Sequence, residues 1–263
     1  MIRFTKKITT SLLCTTLTLA AATWAVAEEE KPTADLTVGF YSQYVWRGWT
    51  FSDESLVIQP SMTVSYKGFA ANLWGNLDTK QYNPTASETN NWNETDLTLS
   101  YDWSMLGLDF GAGYIYYALD NSDDSQEVYV ALSKEMLLAP TLTIYRDYDS
   151  FPGWYITAEI GHSFPLSEAI SLDLGAKAGY LMADEETTYA DPSDPSDPFR
   201  NFLDGVLSVA LPVTITDQVT ITPEAFYSFA LSSDSEEMLA ADNRAYDNDE
   251  NTFYGGVSAT FAF

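Results

Sequence analysis

Thr252-Phe253-Tyr254-Gly255-Gly256-Val257-Ser258-Ala259-Thr260-Phe261-Ala262-Phe263 ends the sequence. Counting back from the last residue, Phe263, Phe261, Ala259, Val257 and Gly255 share one face of an extended strand. Thr260, Ser258, Gly256 and Tyr254 share the other. Side chains alternate across a strand, so this period of two gives one apolar face and one small or polar face. An apolar-faced strand finishing on an aromatic fits the closing strand of a barrel in an outer membrane. There it would pair with the first strand and leave no sheet edge. It would also be the segment offered to the barrel-assembly machinery.

The opposite end of the sequence has another job. Arg3, Lys6 and Lys7 form a short basic region, 8–22 is apolar and rich in Thr, and Ala25-Val26-Ala27 is a small-x-small cleavage site. This pattern predicts a secretory signal peptide over 1–27, not a membrane span. Residues 28–33 then read as a flexible periplasmic stub, and 34–263 as the barrel. The one cysteine, Cys14, lies in the leader and follows Leu13, where lipidation would need a small residue. The mature chain would therefore fold without disulfides, although an exported compartment permits them. Loss of three basic residues moves the formal charge from −26 to −29. With nine Lys and Arg against 38 Asp and Glu, nucleic acid is excluded as a partner. No cofactor motif is present.

Between these ends the chain reads as strand after strand. Ala34–Gly48, Leu56–Lys67, Phe69–Thr79, Asn93–Trp103, Leu106–Leu119 and Gln126–Glu135 each alternate. So do Thr141–Tyr148, Trp154–Phe164, Ile170–Met182, Phe199–Leu211 and Val219–Leu231. With the closing strand this makes about twelve and almost nothing of helical period. The links alternate in length. Tight turns such as Lys67-Gly68 fall on one rim. Longer or more charged links, among them Gln81–Trp92, Ala183–Pro198 and Ser232–Asn251, fall on the other. That parity predicts a transmembrane antiparallel up-and-down β-barrel with long outer loops and short periplasmic turns. The Asp-Pro-Ser repeat at 191–198 belongs to an outer loop, because its prolines cannot serve a ladder.

Aromatic residues on the apolar face gather near the strand ends. Tyr66, Trp103, Phe164, Phe261 and Phe263 would mark one membrane interface, and Trp46 and Trp154 the other. The opposite face would line an enclosed lumen. Its polar members are Gln43, Arg47, Asn72, Asn76, Asp78 and Asp96 on the earlier strands, then Asp109, Glu127, Glu159, Asp173, Lys177 and Glu224. Acids outnumber bases there, which favours cations, and Arg47 and Lys177 are the natural counter-charges.

The first strands also carry a resemblance. Ser42-Gln43-Tyr44-Val45-Trp46-Arg47-Gly48, Gln59-Pro60, Gly68-Phe69 and Leu73-Trp74-Gly75-Asn76-Leu77-Asp78 resemble the N-terminal signature of the TorF family of porins. The resemblance implies an outer-membrane barrel with channel activity and brings no binding residues with it. Composition and resemblance together lead us to expect a narrow channel for passive diffusion of small cationic or neutral solutes. A non-conducting barrel whose acidic outer loops bind a partner or a divalent cation is the alternative. Lipid and lipopolysaccharide would surround it, with Arg146 near a headgroup phosphate. Asp120–Asp124 and the acids from Asp242 to Glu250 offer oxygens for Ca²⁺ but lack the Gly and Glu of an EF-hand loop. No catalytic set emerges. The one histidine, His162, falls two residues before Phe164 and the turn at Pro165, at the wrong rim for an outer-leaflet hydrolase.

Overall fold

A computed structural model describes residues 31–52, 54–80, 90–120, 122–241 and 251–263. The predicted leader, the first half of the stub, and the acids between 242 and 250 lie outside them. Twelve long strands make the wall. They are β1 (Thr33–Tyr41), β2 (Val57–Tyr66), β3 (Phe69–Asp78), β4 (Asn91–Met105), β5 (Leu108–Leu119) and β6 (Ser125–Ser133), then β7 (Thr141–Asp147), β8 (Gly153–Pro165), β9 (Ser171–Ala183), β10 (Arg200–Ala210), β11 (Val219–Ala230) and β12 (Asn251–Ala262). Each pairs antiparallel with its neighbours in sequence, and β12 returns to pair with β1, Val38 opposite Ala259. The sheet is a closed up-and-down barrel, and every wall strand has two partners. Strand β1 already begins at Thr33, one residue inside the predicted stub. Among the described residues no helix is long and apolar enough to cross a membrane.

The outer surface is the apolar face of the alternation. Leu36, Phe40, Met62, Val64, Leu73, Leu97, Leu99, Val130, Leu142, Ile160, Leu174, Leu207 and Val257 are all exposed. Such a continuous apolar band suits hydrocarbon rather than water. Tyr66, Trp103, Phe164, Phe261 and Phe263 stand exposed toward the rim with the short turns, and Trp154 toward the long loops. Trp103 stacks flat on Phe110 and Phe261 meets Phe263 edge-on.

Two turns at the short-turn rim have positive φ at both central residues: Lys67-Gly68 and Leu106-Gly107. That geometry matches the twist of the strands they join. A third such pair, Arg47-Gly48, lies elsewhere. The sequence predicts β1 running to Gly48. The strand stops at Tyr41, and a small hairpin follows in which Val45–Trp46 pairs with Trp49–Thr50. The hairpin folds into the barrel. Trp46 is thus not a lipid-facing interface residue. It is half-buried and packs on Trp49, Phe51 and Tyr117. Alternation failed here because it assumes an unbroken strand, and Arg47-Gly48 supplies a turn within the apolar run. A nine-residue helix, α1 (Ser233–Ala241), adds a second element at the same end.

Candidate functional site

The barrel interior is the candidate site, and its two ends differ. Toward the long loops it is filled. Trp49, Tyr44, Val45 and Thr50 of the hairpin are buried, as are Tyr189 and Phe199 of the 184–199 loop and Met238 and Leu239 of α1. Trp49, Tyr189, Phe199, Met238 and Leu239 pack on inward residues of the wall, Ile115, Tyr117, Tyr145, Tyr155, Leu181 and Leu203, while Tyr44 and Val45 pack on Tyr41, Val57, Val206, Phe226 and Tyr254. Trp49 stacks on Tyr189 with ring centroids 5.3 Å apart. Gly48 at the hairpin tip meets Leu239, and any side chain there would lie 2.9 Å from its Cδ1. Polar ties fix the hairpin's base. Ser52 and Ser55 donate to Asp78 at 2.7 and 2.6 Å, the Tyr44 N–H donates to Ser52 Oγ, and Thr50 and Thr252 hydroxyls meet at 3.0 Å.

Toward the short turns the inward positions are small and polar and keep partial exposure. Ser61, Thr63 and Ser65 of β2, Asn72 of β3, Thr98 and Ser100 of β4, and Thr220 and Thr260 of β11 and β12 are all of this kind. An inward residue of a closed barrel can expose itself only to the space inside, so this half holds a solvent-sized vestibule. Asn72 donates to Ser61 Oγ at 2.8 Å and to Thr63 Oγ1 at 3.0 Å along its wall.

A polar chain crosses the boundary between the halves. Arg47 reaches Glu127 at 2.8 Å, and its guanidinium lies 4.2 Å from the Tyr155 ring centre and 4.3 Å from that of Trp46. Tyr117 donates to the same Glu127 oxygen. Tyr155 donates to Asp204 at 2.6 Å, and Lys177 meets Asp204 at 3.0 Å. The tight approach explains Gly179: a Cβ there would fall 2.3 Å from Asp204 Oδ1 and 2.4 Å from the Tyr155 hydroxyl. The two expected counter-charges therefore have named partners. Arg47 points inward as expected, but it does so from the hairpin tip and not from a strand.

The other expected lumen residues can now be placed. Asn76 accepts from Gln59 and donates to Asn93, both within 3.0 Å. Gln43 is half-buried just before the hairpin, with its Oε1 unpartnered. Glu224 accepts from Tyr41 and Ser258. Glu159 accepts from Thr157, and Asp109 from Ser104 near the turn rim. Asp96 and Asp173 face inward, each with one oxygen that no group of the described residues reaches. Sequence reasoning missed the aromatic filling. Its signal is the cluster Tyr44, Trp46, Trp49 and Phe51, four aromatics in eight residues.

Outside the wall, His162 lies against Phe164, 4.5 Å between ring centres, and its Nδ1 meets the Leu137 carbonyl. Arg146 is ion-paired to Asp184 at 2.6 Å above Trp154, so its charge is balanced within the protein. Asp191 and Asp194 in the 184–199 loop are held below the usual carboxylate range by the Ser193 and Ser196 hydroxyls and N–H groups. Among the described residues no group of three or more Asp, Glu, His or Cys is arranged to hold a metal ion.

No family model and no curated protein matches the sequence. Solved structures do match. The chain is similar to the NanC porin, at 12% identity over 87% of this chain and 98% of that one, with a TM-score of 0.55. It is similar to the KdgM porin, at 10% identity over 87% and 99%, with a TM-score of 0.53. A further KdgM structure is in complex with disordered oligogalacturonate. An outer membrane channel from Pseudomonas putida F1 matches at 11% identity over 90% and 97%, with a TM-score of 0.51. The fold is that of outer-membrane porins and channels.

Proposed function

We propose that this chain is an outer-membrane channel for passive diffusion of small cationic or neutral solutes, with its long loops outside and its short turns in the periplasm. The observation that carries the reading is the charge left on the inner wall. Its two bases are spent on Glu127 and Asp204. Glu94, Asp96, Asp102, Asp109, Asp173 and Glu224 belong to neither ion pair, and Glu159 stands opposite Lys177 on the neighbouring strand. An enclosed wall of carboxylates concentrates cations and repels anions. Oligogalacturonate, the polyanion seen with the KdgM porin, is the wrong charge for this interior. The TorF-family resemblance belongs to the same reading, since its Ser42–Gly48 motif builds the hairpin that narrows the passage.

Planar bilayers under a KCl gradient test the proposal. The expected result is a small conductance with a reversal potential on the K⁺ side. Chloride preference would overturn it. The packed outer half favours a second reading, a barrel closed at rest with the hairpin as its plug. Arg47→Glu places a carboxylate against Glu127 and weakens the hairpin's seat. A several-fold rise in conductance supports the plug, and unchanged conductance removes it.

A further inference from the structure

Each link at the short-turn rim carries a large exposed apolar side chain in it or beside it. Phe69 borders the β2–β3 turn and Leu106 sits within the β4–β5 turn. Leu137, Leu166 and Ile215 do the same in the β6–β7, β8–β9 and β10–β11 links. Leu106 is the sharpest case, at 92% exposure. It is the first central residue of a two-residue turn, with φ 57°, a place that Asn, Asp or Gly fills most readily. A leucine there takes an unfavourable backbone conformation and gains no burial from its own chain. The 184–199 loop at the other end is different. Its exposed residues are 184–187 and 193–197, and none of them is Leu, Ile, Val, Met or aromatic.

What covers this rim follows from what it joins. Phe69, Leu137 and Leu166 adjoin Tyr66, Leu132 and Phe164, which are exposed members of the outer apolar band. Lys67, Lys134, Glu168 and Asp217 stand exposed among them, and the Lys67 ammonium lies 5.1 Å from the Tyr66 ring centre. Apolar and charged groups mixed right round the mouth suit the boundary between acyl chains and headgroups, where long bases keep their charge at the surface. We propose that the short-turn rim is a lipid-binding surface, seated among phospholipids, so that the vestibule opens level with their phosphates and not into free solution. The seating rests on the channel reading only for its effect on current. Anionic phospholipid around the mouth raises the local concentration of cations about to enter.

Spin labels in phospholipid vesicles test it directly. In a Cys14→Ser background, Leu106→Cys, Leu137→Cys and Ile215→Cys each give the barrel a single nitroxide. Collisions with dissolved oxygen, which concentrates among acyl chains, should exceed those with a water-soluble nickel chelate. Ser196→Cys on the outer loop should show the reverse. Chelate-dominated collisions at the turns overturn the proposal. Spin–spin broadening between labels, the sign of a second copy on the rim, overturns it too. In planar bilayers at low salt, raising phosphatidylglycerol from none to half of the lipid should raise the K⁺ current about threefold. The gain should vanish in about 1 M KCl, where surface charge is screened. Current that ignores lipid charge at low salt overturns the placement of the mouth. Labels among acyl chains in a barrel that passes no current would keep the lipid seat and overturn the channel reading.

Discussion

At the long-loop end the barrel's inward positions carry Tyr117, Tyr145, Tyr155 and Leu203, and three chain segments descend to pack on them. At the short-turn end the same wall carries Ser61, Thr63, Asn72 and Ser100, and none of the described segments descends. The strands are continuous from one end to the other, so backbone pairing cannot explain the difference. Side-chain volume does. Aromatics reaching in from opposite walls, plus the hairpin's own, fill the cross-section with apolar surface, whereas Ser, Thr and Gly leave room for water. One end of the interior behaves as a protein core, and the other as a polar passage.

If that division holds, truncating a filler at the long-loop end should have the largest effect. Trp49 is 1% exposed and stacks on both Trp46 and Tyr189. Trp49→Ala should lower unfolding stability by about 3–5 kcal/mol, the range for emptying an aromatic core site. Urea unfolding in lipid vesicles would read it, and conductance should rise in parallel. A loss below about 1 kcal/mol would mean that the hairpin is a loosely held flap, and the contrast between the ends would fail.

An intermediate effect is expected where the two ends meet. Tyr41 is buried, and its hydroxyl donates to Glu224. Tyr41→Phe keeps the ring and removes one of that carboxylate's two donors, leaving Ser258. Hydrogen bonds to charged groups contribute about 1.5–3 kcal/mol, so a loss in that range is expected by the same unfolding assay. A change of under 0.5 kcal/mol would show that water replaces the phenol freely and that the vestibule extends further than described.

How far this division could be read in advance depended on which residues carried it. Alternation along β2, β5 and β12 gave the wall, because a two-residue period is a local property of sequence. Loop parity gave the direction of the strands for the same reason. The acidic inner face followed from the alternation, and so did the inward placement of Asp173 and Glu224. The filling did not. Trp46 continues the apolar alternation of β1, and that alternation points it to the lipid face. Only its neighbour pair Arg47-Gly48, with φ of 49° and 89°, turns the chain inward. The pairings Arg47–Glu127 and Lys177–Asp204 join residues far apart in sequence, and neither partner's sequence neighbourhood points to the other. The short helix Ser233–Ala241 is equally silent, with Leu239 fully buried in a stretch that reads as a charged loop.

The smallest effect belongs at the short-turn end. Ser61 is half-buried and accepts from Asn72, which also donates to Thr63 Oγ1 and the Met62 carbonyl. Ser61→Ala removes one of three acceptors around a single amide that keeps partial exposure to the vestibule. Water can take the vacated place, so stability should stay within about 0.5 kcal/mol of the parent, as for surface substitutions. Conductance should hardly move, since the side chain loses a single heavy atom. A loss of 2 kcal/mol or more would mean that Asn72 lies in a dry, packed environment. The polar end of the barrel would then be a second core, with no vestibule for cations to enter.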